Sequence, residues 1–204
     1  MREKIKITLL KNLLEEVTKK YDYFISQRER VLEETYKMSI TDELTQLYNR
    51  HYALEQLKRE VERVKREENP FTLVMFDLDN FKPINDKYGH IKGDEVLKNV
   101  GNILKKSFRS YDLVARLGGD EFIAIIFEKE KSDVEKRLQK IREEIENIIP
   151  QENLSVSYGI LQIPDDIKDI LEKLEEDSDS IIKEILNKVD FIMYTNKKKR
   201  KGML

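Results

Sequence analysis

In the first 40 residues, apolar residues recur at alternating spacings of three and four, which is a seven-residue repeat. Its apolar members are Ile7, Leu10, Leu14, Val17, Tyr21, Phe24, Val31 and Met38. Residues 1–40 contain neither proline nor glycine, so the pattern predicts one continuous helix of about 50–60 Å with a heptad seam. Arg28 and Thr35 occupy two a positions, and Arg28 is expected to weaken a parallel dimer while fixing its register. We expect a coiled coil; the alternative is an amphipathic helix folded back on its own domain.

Beyond residue 40, helical periods alternate with short apolar runs. The pattern predicts helices at 51–67, 94–108, 132–149 and 180–199, and strands at 71–76, 113–115, 122–127 and 154–163. A capping box at Ser132–Glu135 is expected to open the third of these helices, and Pro150 to end it. This order predicts an α/β (α+β) sandwich of ferredoxin-like type with a mostly antiparallel central sheet. The predicted domains are a helix over 1–40 and a globular domain over 41–204.

Composition narrows the function classes. The 204 residues carry a net charge of −2 with 38% charged residues, so no overall positive charge indicates a nucleic-acid binder. The chain has no cysteine, which excludes thiolate metal sites, and its two histidines are too few for a histidine-based metal site. No apolar run reaches the roughly 20 residues that cross a bilayer. We therefore expect a cytoplasmic protein without a membrane span.

A double glycine followed by two acids lies between the two predicted hairpin strands. Gly118 and Gly119 supply the backbone freedom of a tight turn and leave room for a phosphate to approach. Asp120 and Glu121 follow at the sheet edge. An ordinary hairpin with solvated acids is the alternative when the tripeptide is taken alone.

A third acid, Asp77, follows the apolar run 71–76 and is predicted to lie beside this hairpin. Clustered carboxylates suit Mg²⁺, which bridges one or two of them to substrate phosphates. The three acids therefore favour a magnesium-dependent enzyme acting on a nucleoside triphosphate. A structural acid at a strand end is the alternative for Asp77 alone.

The surrounding motifs resemble the GGDEF family of diguanylate cyclases. The matching residues are Asp77-x-Asp79-x-Phe81-Lys82-x-x-Asn85-Asp86-x-x-Gly89-His90-x-x-Gly93-Asp94 and Gly118-Gly119-Asp120-Glu121-Phe122. The likeness extends over about residues 40–201. It implies a nucleotidyl-cyclase palm that joins two GTP molecules into cyclic di-GMP and two pyrophosphates. It also implies a homodimer, with one GTP per subunit.

The same resemblance implies roles for individual residues. Asp77, Asp120, Glu121 and the carbonyl of Leu78 would hold Mg²⁺, or Mn²⁺ as an alternative, with Asp120 as the proton acceptor and Glu121 in support. Guanine would be read by Asn85 and Asp94, whose alternative role is helix capping. The remaining substrate contacts would come from Asn80, Phe81, Lys82, His90, Gly118, Gly119, Lys197 and Lys201.

Upstream of the hairpin, Arg109 and Asp112 match the family's product-inhibition motif in sequence and spacing. Arginine pairs with guanine or phosphate through its planar fork. A local ion pair is the alternative. The second arginine of that site is not evident from the sequence, where Lys140 and Arg142 are nearby.

Two departures from the family pattern stand out. The family's closing Gly-Arg is replaced by Arg200-Lys201, and the acidic stretch 164–179 is longer than the usual connection.

Two other functions are alternatives to the cyclase. The rival function is a non-catalytic cyclic di-GMP receptor that uses the Arg109/Asp112 site, and the third is synthesis of a mixed cyclic dinucleotide. The helix at 1–40 is expected to be an input remnant, a binding element for an upstream sensor partner or a constitutive dimeriser.

Overall fold

The computed structural model consists of two units. They are Met1–Ser39 and Ile40–Leu204, and the structure describes residues 1–67, 69–128, 130–173, 178–200 and 202. Among the described helices, none is both long and apolar enough to cross a bilayer.

The N-terminal unit is a single helix, α1 (Arg2–Ile40), as the apolar repeat predicts. None of its residues, all of which the structure describes, is buried. Leu10, Leu14 and Phe24 of the heptad seam are 65%, 66% and 65% exposed. A helix with so much exposed apolar surface gains little from folding alone, so the coiled coil stays a prediction.

The second unit contains the remaining helices and strands. In chain order they are α2 (Arg50–Glu67), β1 (Phe71–Asp79), α3 (Phe81–Tyr88), α4 (His90–Ser107), β2 (Leu113–Gly118), β3 (Glu121–Ile126), α5 (Lys131–Glu146), β4 (Ser155–Ile163), α6 (Lys168–Lys173) and α7 (Ser178–Arg200). Short 3₁₀ turns lie at Pro150–Glu152 and Asp165–Ile167.

The described strands form one sheet in the order β2-β3-β1-β4, with antiparallel pairing between all neighbours. The mostly antiparallel sheet packed with helices is confirmed. The register of β1 and β3 places Phe76 opposite Phe122 and Asp77 opposite Glu121. The pairing therefore brings Asp77 to the base of the Gly-Gly turn.

Helices cover both faces of the sheet. Val74, Phe76 and Leu78 of β1 belong to a core that α3, α4 and α5 complete. Leu73 and Met75 point to the opposite face and belong to a second core with α2 and α7. A strand that is buried on both faces has an almost continuous apolar sequence, which is why β1 lacks the alternation of a half-exposed strand.

Several predicted boundaries were wrong. β1 continues through Asp79 because β4 still pairs with it there, so Asp77 lies inside the strand. α4 begins at His90, which places Asp94 within the helix and rules out a capping role for it. The capping box is also wrong: α5 begins at Lys131, and no side-chain capping bond is present among its described neighbours.

Three further elements depart from the sequence prediction. α5 ends at Glu146 rather than at Ile149, and Pro150 begins a 3₁₀ turn. The eight-residue helix α3 was not predicted. In the acidic stretch, Ile167 and Ile170 are buried against the α2/α7 side of the sheet. Two apolar contacts therefore attach this stretch to the domain, while its residues 174–177 lie outside the described residues.

Candidate active site

The acidic end of β1 is tied to the hairpin by the backbone. The N–H of Leu78 donates to the carbonyl of Asp120 at 3.2 Å, beside the Asp77–Glu121 pair of the β1–β3 register. Asp77 is partly buried, its side chain being 20% exposed. Three acids therefore lie close together around two strands that the sheet holds in fixed register.

Glycine is required at the tip of this hairpin. Gly118 has φ 143° and Gly119 has φ 53°, and a Cβ added at either position would meet no described atom within 4 Å. The Arg116 guanidinium donates to the carbonyl of Gly119 at 3.0 and 2.8 Å and pairs with Asp42 at 3.2 Å. The turn is thus open towards solvent and is held from behind by Arg116.

The pKa values of the two hairpin acids are raised, first of all by burial. Burial, followed by the nearby Asp77 charge, raises the pKa of Asp120 above its ordinary value. Burial raises the pKa of Glu121 as well, and the charges of Asp77 and Asp120 add to the effect. A bound cation would stabilise the ionised form of both carboxylates.

The donors at this end fit a hard divalent cation. Asp77, Asp120 and the carbonyl of Leu78 offer only oxygen, the atom that Mg²⁺ prefers. Among the described residues, no three His, Cys, Asp or Glu side chains form a ready metal site. Asp77, Asp120 and Glu121 are therefore neighbours rather than a preformed three-carboxylate site, and their assignment as ligands stays a prediction.

The last turn of α7 contributes two cations to the same end. The Lys197 ammonium contacts the Asp77 carboxylate and lies 3.4 Å from Asp79. Burial lowers the pKa of Lys197, but its hydrogen bond to Asp77 and the two carboxylate charges outweigh burial and raise it. Arg200 pairs with Asp79 at 3.2 Å. Lys201, also predicted to bind substrate, lies outside the described residues.

Most of the predicted nucleotide contacts lie on α3, on α4 or at Asn80 just before α3, next to this end of β1. Asn80 has left-handed backbone geometry, φ 64°, and its amide donates to the carbonyl of Asn153 at 2.9 Å. Phe81 is buried, whereas Lys82 is exposed. The sharp change from strand to helix at Asn80 thus turns the following backbone across the end of the sheet.

The residues predicted to read guanine lie on two adjacent helices, α3 and α4. A Cβ at Gly93 would lie 1.8 Å from Asn85 Oδ1, so glycine is needed for α4 to approach the Asn85 amide. His90 and Asp94 lie exposed in the first turns of α4. The helix pair therefore places the predicted base-reading groups on one side of the domain, where a base can reach them.

The family model "Diguanylate cyclase, GGDEF domain" matches residues 39–202. This chain belongs to the GGDEF domain family. The curated diguanylate cyclase DgcS of Shewanella oneidensis is 51% identical over 85 residues, which are 42% of this chain and 29% of DgcS. The chain thus spans less than a third of that relative.

Solved structures share the GGDEF fold. Diguanylate cyclase SiaD of Pseudomonas aeruginosa, crystallised with its activator SiaC, matches with a TM-score of 0.68 and 27% identity. The match covers 91% of this chain and 68% of SiaD. The coiled coil and GGDEF domain of DgcB from Caulobacter crescentus, in complex with c-di-GMP, matches with a TM-score of 0.72 and 24% identity, covering 93% and 95% of the two chains. The likeness to DgcB concerns the fold alone.

At the opposite end of the GGDEF hairpin, Asp112 is a structural acid. Its side chain is 1% exposed and accepts hydrogen bonds from the backbone N–H of Arg109 at 3.0 Å and of Phe127 at 3.1 Å. The local ion pair, which was the alternative for this motif, is not the arrangement seen, because the Arg109 guanidinium pairs with Glu128 at 3.0 Å. Arg109 therefore offers a half-exposed guanidinium, while Asp112 holds the backbone.

Sequence reasoning missed Arg137, the arginine that α5 brings to this place. Its guanidinium lies 3.6 Å from Asp112 and 3.4 Å from Glu128. Arg142 points elsewhere and donates to the carbonyl of Val156 at 3.1 Å. The helical period could have found Arg137, since it lies one residue before the buried Leu138 and so beside the inward face of α5.

Arg116 was also missed, although it stands two residues before the double glycine. Its side chain links the hairpin tip to Asp42, which lies in the segment before α2. Burial raises the pKa of Asp42, but hydrogen bonds from Thr45 and the Arg116 charge outweigh it and lower the pKa. The contact between Arg116 and Asp42 therefore favours the ionised form of the Asp42 carboxylate.

Proposed function

We propose that this chain is a magnesium-dependent diguanylate cyclase that converts two GTP into cyclic di-GMP and two pyrophosphates. The observation that carries the proposal is the pair Asp77 and Asp120 at the open Gly-Gly turn, with the pKa of Asp120 raised. Membership of the GGDEF domain family supports it.

The reaction is a displacement at the α-phosphate. In each of two displacements, the 3′-oxygen of one GTP forms a bond to the α-phosphorus of the other, the bond from that phosphorus to the α–β bridging oxygen breaks, and one pyrophosphate leaves. Asp120 accepts the proton of the attacking hydroxyl, a task that a raised pKa suits. Mg²⁺, when bound, would lower the pKa of that hydroxyl and neutralise charge on the leaving pyrophosphate.

Base selection would come from α3 and α4. The Asp94 carboxylate accepts hydrogen bonds from guanine N1 and N2, donors that adenine does not present in that arrangement. The Asn85 amide pairs with the acceptor edge. A site built on such pairing discriminates strongly between bases, so a mixed cyclic dinucleotide is the less favoured product.

The reaction needs two subunits, since each carries one GTP. The exposed heptad seam of α1 supports a homodimer in which this helix controls how two catalytic domains meet. SiaD was crystallised with an activator protein, and the exposed apolar surface of α1 would suit contact with an upstream protein as well. By this proposal, dimer geometry sets the rate.

Replacing Leu10, Val17 and Phe24 with Asp should dissociate the dimer and lower activity in dilute solution. The matched control replaces Asn12, Lys19 and Ser26, which lie on the opposite face of the same helix, with Asp. Sedimentation velocity and turnover are measured at several protein concentrations. An unchanged mass for the seam variant would contradict the coiled coil.

We further propose product inhibition at Arg109, with Arg137 as the second arginine. Both guanidiniums already pair with Glu128, so an anionic product would compete with that carboxylate for them. Because Asp112 is occupied by backbone N–H groups, ligand recognition would rest mainly on the two arginines. A receptor without activity would use the same groups.

Product analysis tests the proposal. Protein stripped of nucleotide is incubated with GTP and Mg²⁺, and the products are identified by chromatography and mass spectrometry. Cyclic di-GMP with pyrophosphate, absent in Asp77→Ala and Asp120→Ala, is the expected result. Binding of cyclic di-GMP by a dimer that makes none would instead establish the receptor.

A further inference from the structure

Asp79 is a buried carboxylate that the proposed chemistry leaves unused. It lies two residues after Asp77 in β1, so both side chains point to the same face of the strand. Only 2% of the Asp79 side chain is exposed, and Ser157 donates to its Oδ2 at 2.7 Å. Its Oδ1 accepts no hydrogen bond from the described residues. A buried anion this poorly satisfied is costly unless cations lie close by.

The cations come from the last turn of α7. Arg200 Nη1 lies 3.2 Å from Asp79 Oδ2 and donates to the carbonyl of Val156 at 2.9 Å. Lys197 Nζ lies 3.4 Å from Asp79 Oδ1 and contacts Asp77. Residues three apart share one helix face, so a single turn presents both side chains to the end of β1.

Arg200 stands at a position where the related family pattern has glycine, which has no side chain to make these contacts. We propose that Asp79 and Arg200 are positioning residues that fix the last turn of α7 and so hold Lys197 at the triphosphate end of the nucleotide site. Arg200 joins β1 to β4 through Asp79 and Val156, and Lys197 then lies over the strand end that carries Asp77. This inference rests on the proposed use of GTP.

The inference predicts that loss of Arg200 weakens contacts with the triphosphate but not contacts with the base. α,β-Methylene GTP with Mg²⁺ and GMP are titrated into the full chain by calorimetry. Arg200→Ala should weaken binding of the triphosphate analogue by about tenfold and that of GMP by less than about twofold, because only the triphosphate reaches Lys197. Lys199→Ala, which removes the same charge from an exposed position of the same turn, should change either affinity by less than about twofold.

Two further variants test the connection itself. Arg200→Lys keeps a cation that can reach Asp79, so it should restore most of the lost affinity. In Asp79→Asn the residue keeps its shape, and adding Arg200→Ala should cost little more, because both changes break one connection. Melting temperatures are measured for each variant; should Asp79→Asn fail to fold, the three single variants at Arg200 and Lys199 still give the test.

Three results would overturn the inference. Equal losses for GMP and the triphosphate analogue in Arg200→Ala would show a general structural role. Unchanged triphosphate affinity in Arg200→Ala would remove the connection while leaving the proposed function intact. A wild-type chain that binds no triphosphate analogue would remove the proposed function, and the inference with it.

Discussion

The strand pair β2–β3 has a charged cluster at each end, and the two clusters differ in how their charges are matched. At the turn, Asp120 and Glu121 have raised pKa values because burial and neighbouring acids disfavour their charge. At the other end, Asp112 receives two backbone hydrogen bonds and lies near Arg137. The poorly matched acids at the turn fit the proposed cation site, whereas the matched charges at the other end stabilise the fold.

The largest effect should come from the turn. Asp120→Asn keeps the shape of the side chain but removes a proposed metal ligand and proton acceptor, so turnover should fall by roughly 10³-fold or more. Pyrophosphate release measures this rate. Asp133→Asn, an exposed acid on α5, is the control and should leave the rate unchanged. Activity of Asp120→Asn within tenfold of wild type would contradict the assigned role.

The next effect concerns the opposite end. Asp112→Ala removes a buried acceptor of two backbone N–H groups and leaves Arg137 without that counter-charge, so the free energy of unfolding should fall by about 3 kcal/mol. Denaturant unfolding measures it, with Asp133→Ala as the exposed control expected within about 0.5 kcal/mol. A loss no larger than the control's would mean that the Asp112 carboxylate does not stabilise the backbone at Arg109 and Phe127.

The same mutation that removes activity should stabilise the metal-free protein. Since folding raises the pKa of Asp120, the folded state binds its proton more tightly than the unfolded state. The contribution of this group is therefore complete below the unfolded pKa and is lost as pH rises through the folded pKa. At neutral pH, Asp120→Asn should raise the free energy of unfolding by about 1 kcal/mol, or Tm by roughly 2–4 °C.

Melting curves in chelator at several pH values test this sign. The advantage of Asp120→Asn should shrink as the solution is acidified below the raised pKa, because the wild-type carboxyl then becomes neutral. A variant less stable than wild type at neutral pH would show that the charged Asp120 carboxylate does not destabilise the metal-free protein.

The smallest structural effect is expected at Arg109. Its side chain is 51% exposed, so Arg109→Ala should change the free energy of unfolding by less than about 0.5 kcal/mol. Inhibition by added cyclic di-GMP should nevertheless weaken, while the uninhibited rate stays the same. Inhibition curves for wild type and variant measure both, and identical curves would remove the proposed site.

The sequence predicted the main elements because their signals are local. The uninterrupted heptads gave α1, and the apolar runs around the double glycine gave β2 and β3. By contrast, α3 has only eight residues, too few for a helical repeat to stand out. The β1 boundary moved to Asp79 because β4 pairs with it from 76 residues further along the chain. Local patterns contain no information on such pairing.

The site divides in the same way. Asp77, Asp120 and Glu121 were predicted as neighbours because strand ends and a turn fix where they lie. Arg137 and Arg116 were not predicted, since their importance comes from tertiary contacts with Asp112 and Asp42 that no local motif announces. The Arg200 contact with Asp79 likewise depends on where the last turn of α7 meets β1.

The most direct test of the difference between the two ends of the β2–β3 pair is a Mn²⁺ titration followed by electron paramagnetic resonance, which measures free Mn²⁺. Wild type, Asp120→Asn and Arg109→Ala are compared in the presence of α,β-methylene GTP. The account predicts that Asp120→Asn loses most of the bound Mn²⁺ and that Arg109→Ala binds like wild type. Equal binding by wild type and Asp120→Asn would contradict the claim that the acids at the turn form the cation site.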